Sequence, residues 1–330
     1  MLKINNDGNN KNNEEDLISV IVATYNGQRY IKEQIDSVFE QSYGNFEVIV
    51  FDDCSSDNTV EILKCYENRK NFSLTINSKN LGLVKNFEKA MLASNGKYIA
   101  FSDQDDVWEI DKLEKLRSSI GNSGLIYSNA KIIDENGIST NLSLSDTSPF
   151  HSLKSGDSSL FKAILFQGVA WGCTMLITRK VANLSIPFPL VSKNHDWWVS
   201  LVAYRNGGIK YHRESLTCYR HHENNFSRAD TKVNFKTMFE NFFSQSALSA
   251  RLSIYKNTSN DLYEVRQRST VFKFNQDEKK VLEEYYNYSN SGLKRNNKLL
   301  GCRFALKNKD YLFPLGTKRL KIVHALSRIF

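Results

Sequence analysis

The chain has 330 residues, 41% hydrophobic and 24% charged, which is a globular composition with room for one large domain or a domain plus an appendage. No apolar run reaches the roughly 18 residues of a membrane-spanning helix, and the Asn-rich residues 1–16 lack the apolar core of a signal peptide and read as a disordered polar tail. The formal net charge of +8 is concentrated: residues 294–330 hold ten Lys/Arg against one acid, Asp310, so the preceding chain is near neutral.

In chain order, "LISVIV" (17–22) is a continuous β-branched run, the mark of a buried parallel strand. "ATYNGQ" breaks it, and Ile31, Ile35, Val38 and Phe39 then recur at helical spacing. "FEVIVF" (46–51) is a second strand ending in "DDCSSDNT", where Asp57 suits an N-cap for a helix carrying Val60, Ile62 and Leu63. "FSLTI" (72–76) is a third strand, followed by a turn at Asn80-Leu81-Gly82 and a helix through Phe87, Ala90 and Met91. "KYIAF" (97–101) is a fourth. Strands alternating with helices predict an α/β fold with a doubly wound sheet, whose ligands bind beyond the carboxyl ends of the strands. Three polar clusters fall there: Thr24-Tyr25-Asn26, Asp52-Asp53 and Asp103-Asp105-Asp106.

After about residue 124 the pattern changes. "GLIYSNAKIIDENGIST" reads as a hairpin around Asn136-Gly137, and "GCTMLIT" (172–178) as a strand. "HDWWVSLVAYRNGG" is a helix closed by Gly207-Gly208, and "IKYHRESLTCYRHHENN" a strand running into a polar loop. From Val233 to Phe243, Phe and Met recur as in an amphipathic helix. The five cysteines, Cys54, Cys65, Cys173, Cys218 and Cys302, include no CxxC pair, so they read as reduced thiols of a cytosolic protein with no zinc site.

Asp103-Gln104-Asp105 has D-x-D form beyond a strand end. Alternate carboxylates there can point at one hard cation, Mg²⁺ or Mn²⁺, which would also bridge a diphosphate. Taken alone, the run reads more simply: Asp106 caps a helix beginning near Glu109 and the other acids are solvated.

The context changes that balance. "VIVATYN", "FDDCSSDNT", Asn80-Leu81-Gly82 and Asp103 to Asp106 occur in the order and at the spacing of the motifs of glycosyltransferase family 2, of GT-A fold. Over residues 17–110 the chain resembles that family, with Ala23 where a proline is usual, and more weakly to about residue 225 through "GCT", "HDWW" and "YRHHENN". The wording is most similar to bacterial members that build O-antigen or capsular polysaccharide, rhamnosyl- and glucosyltransferases among them.

The resemblance implies a Rossmann-like nucleotide-binding sheet with helices on both faces. Residues 17–230 form the GT-A domain, with a nucleotide-sugar half (17–123) and an acceptor half (124–230); residues 231–330 are a helical, basic region. It implies inverting, metal-dependent transfer from a UDP-hexose or dTDP-rhamnose donor to a lipid-diphosphate-linked oligosaccharide. Thr24, Tyr25, Asn26, Asn80 and Gly82 would line the nucleotide, Asp53 would accept from the uracil or thymine imide N–H, and Arg220 would meet the diphosphate. Asp105 and His222 would hold the metal, with Asp103 facing ribose or metal. Asp196 would be the general base at a helix start. Trp171, Gly172, Cys173, Trp197 and Trp198 would border the acceptor.

Two enzyme alternatives fail on motifs: "ATYNGQ" has neither the G-x-G-x-x-G of a dinucleotide-binding loop nor the Gly- and Arg-rich loop of a sugar nucleotidyltransferase. A catalytically inert sugar-binding or scaffold relative is the non-enzyme alternative, and Asp103, Asp105 and Asp196 weigh against it. In the basic region, Lys and Arg alternate with Leu, Ile and Phe, a mixture suited to an anionic membrane surface rather than to nucleic acid. The plainer reading is a helical subdomain with basic outer faces. The first predicts a protein peripheral to the cytoplasmic face of the plasma membrane.

Overall fold

The computed structural model describes residues 16–147, 153, 158–189, 194–223, 245–293 and 298–312. The helix expected from Val233 to Phe243, most of the expected polar tail and the end of the basic region lie outside the described residues.

The strands are Ile18–Thr24 (β1), Phe46–Asp52 (β2), Phe72–Ile76 (β3), Tyr98–Ser102 (β4), Val107–Trp108 (β5), Leu125–Ile133 (β6), Ser139–Ser143 (β7), Met175–Thr178 (β8) and Ile209–Arg220 (β9). The helices are Ile31–Phe39 (α1), Thr59–Lys64 (α2), Leu83–Ala93 (α3), Lys112–Ile120 (α4), Leu144–Thr147 (α5), Ser158–Phe166 (α6), Arg179–Ser185 (α7), His195–Arg205 (α8), Gln245–Gln267 (α9), Ser269–Phe272 (α10), Gln276–Leu293 (α11), Lys298–Lys307 (α12) and Lys309–Leu312 (α13).

All nine strands join one mixed sheet in the order β3-β2-β1-β4-β8-β6-β9-β5, with β7 paired to β6. The first four are parallel, each crossover carried by a helix. This is the GT-A-like arrangement, a Rossmann-like sheet flanked by helices. The β-branched runs are explained by burial on both faces. In β1, Val20 and Val22 pack with Ile31 and Ile35 of α1 and Leu113 and Leu116 of α4. Ile21 and Ala23 point the other way, into a core with Phe87 of α3 and Val199 and Val202 of α8.

The C-terminal helices extend that second core. Leu262, Phe272, Phe274, Tyr285, Phe304 and Ala305 belong to the same apolar cluster as α6 and α8. On α12, Phe304 and Ala305 are buried while Arg303 and Lys307 face solvent.

Two local details differ from the sequence reading, and a third bears it out. Gly172–Thr174 is a 3-10 turn, and the strand begins only at Met175. The second helix starts at Thr59, so Asp57 sits outside its cap position; its Oδ1 accepts from the Thr59 N–H at 3.0 Å and its Oδ2 from the Gln28 N–H at 3.2 Å, tying two loops together. The hairpin at Asn136-Gly137 forms as expected, with Gly137 at φ 83° and the Asp134 carboxylate accepting from the Ile138 N–H at 2.8 Å.

Candidate active site

Sheet topology decides what can meet. The parallel strands β1, β2 and β4 deliver Thr24, Asp53 and Asp103 to one edge. Because β8 runs antiparallel to β4, with Ala100 opposite Leu176, the turn leading into β8 arrives at that same edge. It brings Trp171, Gly172 and Cys173, and the first turn of α8 lies beside it. The result is a cleft of about 350 Å³ whose lining includes Thr24, Tyr25, Asp53, Asn80, Gly82, Asp103, Asp105, Trp171, Gly172, Cys173 and Asp196. Asn26, Arg220, His222, Trp197 and Trp198 are not on it.

At one end, Asp53 is buried with its carboxylate already oriented. Oδ1 accepts from Asn77 Nδ2 at 2.9 Å and the Leu81 N–H at 2.8 Å, and Oδ2 accepts from the Gly82 N–H at 2.8 Å. Gly82 has φ 82°, a conformation that favours glycine. Neighbouring Asp52 instead closes its own turn, accepting from the Ser55 N–H and hydroxyl. Tyr25 is exposed on the rim, where its ring is free to stack. The Thr24 hydroxyl is spent on Gln104, to which it donates at 2.8 Å. Asn26, expected at the nucleotide, has φ 50° and turns its side chain to the Ser56 N–H at 2.9 Å; that bond holds the loop and takes the amide off the cleft.

In the middle, carboxylates crowd. Asp105 Oδ2 lies 2.9 Å from His222 Nε2, whose ring packs on Tyr30 with centroids 5.1 Å apart. Ligand atoms of Asp103, Asp106 and Cys173 converge within 4.8 Å of one another. Burial, then the negative charges of Asp106, Asp105 and Asp196, push the Asp103 carboxyl well above the usual range. Burial and Asp105 push Asp106 up to about 7. Asp106 caps no helix, because α4 begins only at Lys112. It accepts from the Arg220 N–H at 3.0 Å through Oδ1, and its buried Oδ2 has no hydrogen-bond partner.

These residues fit a divalent cation. Crowded carboxylates, one with an orphaned oxygen, are the hard donors that Mg²⁺ or Mn²⁺ takes. The buried Cys173 thiol is the wrong donor for either, and burial raises its pKa well above the ordinary thiol value.

Two residues that the sequence reading did not single out support this centre. Lys112 is fully buried, donating to the Cys173 carbonyl at 2.5 Å and Thr217 Oγ1 at 2.9 Å, with Nζ 3.6 Å from the Trp108 ring centroid. Burial brings its pKa down to about 7. Gln104, the central residue of the D-x-D, reaches back to the loop after β1. Arg220, expected at the diphosphate, is buried behind the site. Its Nε donates to the Asp105 carbonyl at 2.8 Å and its Nη2 to Glu33 at 2.6 Å, so the guanidinium is committed to holding the D-x-D loop.

At the far end stands Asp196, in the first turn of α8. Its Oδ2 accepts from the Gly172 N–H at 3.3 Å and its Oδ1 from the Trp197 N–H at 2.7 Å. Trp171 borders the cleft, its ring edge-on to Tyr219 with centroids 5.4 Å apart. Trp197 and Trp198, expected at the acceptor, lie in the core. Their indole N–H groups donate to the Leu165 and Ser185 carbonyls, at 3.3 and 3.0 Å. Helix α8 is buried on nearly every face, so both rings point inward.

Residues 19–182 match the family described as Glycosyl transferase family 2. The chain is 30% identical to TuaG of Bacillus subtilis (strain 168), a glycosyltransferase named for teichuronic acid biosynthesis, over 69% of this chain and 88% of that protein. It is 30% identical to the dTDP-rhamnosyl transferase RfbG of Shigella flexneri, over 66% of this chain and 77% of that one. It is also 30% identical to the Escherichia coli UDP-Glc:alpha-D-GlcNAc-diphosphoundecaprenol beta-1,3-glucosyltransferase WfgD, over 58% and 71%. In fold it is similar to S. aureus TarS 1-349 in complex with UDP-GlcNAc, with a TM-score of 0.55 and 19% identity, covering 94% of this chain and 89% of that one.

Proposed function

The chain belongs to glycosyl transferase family 2, a family of nucleotide-sugar transferases, and from that premise we propose that it is an inverting, metal-dependent enzyme of bacterial surface polysaccharide synthesis. Its donor is a UDP-hexose or dTDP-rhamnose. Its acceptor is a hydroxyl of a lipid-diphosphate-linked oligosaccharide. The observation that carries this reading is the meeting of Asp53, the Asp103–Asp105 pair and Asp196 along one cleft. Donor specificities in the names of RfbG and WfgD support the two pyrimidine nucleotides.

The family resemblance supplies a role for each group along the cleft. Asp53, fixed by Asn77 and two backbone N–H groups, accepts from the base imide and so selects uracil or thymine. Tyr25 covers the base from the rim. Asp103 and Asp105 would hold Mg²⁺ or Mn²⁺, with His222 beside Asp105, and the bound ion would supply positive charge against the departing diphosphate. Asp196 takes the proton of the acceptor hydroxyl as that oxygen attacks the anomeric carbon from the side opposite the diphosphate. The Gly172 and Trp197 N–H groups fix the direction of its carboxylate, and the positive end of the α8 dipole attracts negative charge to that position. Trp171 and the Gly172–Cys173 turn border the incoming acceptor.

Residues 313–330 carry four Lys/Arg and no acid, which supports attachment to an anionic leaflet on the cytoplasmic side, where a lipid-linked acceptor is presented. The test is release of UDP or dTDP by the purified protein from UDP-glucose and dTDP-rhamnose, with Mn²⁺ and a GlcNAc-diphosphate-lipid acceptor. Acceptor- and metal-dependent release supports the reading, and none from any pyrimidine sugar nucleotide overturns it.

A further inference from the structure

Among the described residues on the cleft lining, His195 has two buried polar atoms without a hydrogen-bond partner, Nδ1 and Nε2. The side chain is 97% enclosed, at 3% relative exposure. Its ring lies against Phe87 and Phe101, with centroids 4.2 and 5.1 Å away. On the remaining side it faces Gly172, where a Cβ would come within 2.7 Å of Nε2. A side chain at 172 would drive into that nitrogen, so glycine there lets the ring sit against the turn. Burial holds the ring neutral, its pKa brought down to about 3, so it carries one donor and one acceptor. An apolar ring would fill the same space between two phenylalanines without the cost of burying unpaired nitrogens.

The location narrows what meets them. Phe101 is two residues before Asp103, and His195 immediately precedes Asp196. His195 shares the cleft lining with Asp103 and Asp196, so a sugar whose diphosphate sits at the D-x-D and whose anomeric carbon lies within reach of Asp196 is beside this residue. We propose that His195 is a specificity-determining residue, one ring nitrogen donating to and the other accepting from hydroxyls of the transferred sugar. The assignment rests on the nucleotide-sugar reading above and adds to it which side chain reads the sugar.

The test separates sugar from nucleotide. Affinities for UDP, dTDP, UDP-glucose and dTDP-rhamnose are measured by calorimetry with Mn²⁺, for wild type and for His195→Phe. The variant should bind the bare diphosphate within twofold of wild type, while the ratio of sugar-nucleotide Kd to diphosphate Kd rises about tenfold. Its thermal midpoint should match or exceed that of wild type. With the donor that turns over, deoxy-sugar analogues should identify one hydroxyl whose loss costs wild type tenfold or more in kcat/KM and costs the variant less than twofold.

His195→Asn keeps a donor and an acceptor and should hold the affinity ratio within threefold of wild type. A packing role predicts the reverse order, with Phe tolerated and Asn not, and that order overturns the assignment. Should the Phe variant not fold, a tenfold rise of the ratio in the Asn variant has the same force. Diphosphate binding with an unchanged ratio in His195→Phe removes His195 alone. Failure of the wild-type protein to bind either diphosphate overturns the parent reading and the assignment with it.

Discussion

Gln104 Oε1 accepts from Thr24 Oγ1 and from the Tyr25 N–H, both at 2.8 Å, while its Nε2 donates to the Tyr25 carbonyl at 3.2 Å. One amide thus staples the D-x-D loop after β4 to the loop after β1, joining the proposed metal and nucleotide ends. Gly27 allows it: a Cβ there would lie 2.5 Å from Gln104 Oε1.

Gln104→Ala should therefore weaken donor binding more than chemistry. Stability should fall by about 1 kcal/mol, the net worth of a typical hydrogen bond, and the fold should persist. The donor KM should rise about tenfold with kcat within a fewfold of wild type, a loss of roughly 1.4 kcal/mol in binding. Steady-state kinetics check this, and a drop confined to kcat would contradict it.

Metal affinity should depend on pH. Burial and mutual repulsion favour the protonated forms of Asp103 and Asp106, the latter titrating near 7. A cation held by Asp103 must displace the Asp103 proton, and its charge disfavours the proton on neighbouring Asp106, so it competes better as protons become scarcer. The apparent Mn²⁺ affinity should rise between pH 6 and pH 8, by up to about tenfold per unit for each proton displaced. Calorimetric titration of Mn²⁺ at several pH values decides it; a flat profile would contradict the carboxylate assignment.

His195 makes a separate contribution to acid sensitivity. Its folded pKa, about 3, lies below the ordinary 6.5, so below 6.5 the unfolded chain takes up a proton that the folded ring refuses. Stability is then lost as pH falls from about 6.5 toward 3, at up to about 1.4 kcal/mol per unit. Denaturant unfolding of His195→Phe should show a shallower loss between pH 6.5 and pH 5 than wild type.

Among the described residues, the basic segment is part of the core through α12. Phe304 packs against Phe166 and Tyr285, at centroid distances of 5.9 and 5.6 Å, so removal of α12 would open the core. Truncation after Leu312 should release the protein from vesicles of anionic lipid. Each of the four Lys/Arg removed is worth about 1 kcal/mol at such a surface, and the binding should weaken with salt. Vesicle sedimentation at low and high salt tests this.

The parts of the fold legible in the sequence are those whose signal is local. β1 and β2 are short β-branched runs because both sheet faces are covered there, and polar residues gather where each ends. Asp53, Asp103 and Asp105 reach the cleft because they follow strand ends, and the topology rule for parallel sheets says where those ends go. What was not legible depends on distant partners. Arg220 reads as an anion-binding residue until Glu33 and the Asp105 carbonyl are found holding it. Lys112 looks like one charge in an exposed run, "DKLEK", yet it is buried beneath the Cys173 carbonyl. Trp197 and Trp198 carry no amphipathic signal, since α8 is enclosed on nearly all sides, so no periodicity tells core from pocket. The one usable clue to His195 is its place immediately before the acidic residue of a helix start.

The measurement that bears most directly on the account is the comparison of wild type with Asp196→Asn. The amide is nearly isosteric, and its carbonyl oxygen can still accept from the Gly172 N–H, but it cannot take a proton from an attacking hydroxyl. Donor affinity, measured by calorimetry with Mn²⁺, should stay within threefold of wild type. Transfer to the lipid-linked acceptor should fall roughly 10²–10⁴-fold, the range for loss of a general base. Turnover near wild type in Asp196→Asn, or a loss that lies in donor affinity alone, would contradict the assignment of the reacting proton to this carboxylate.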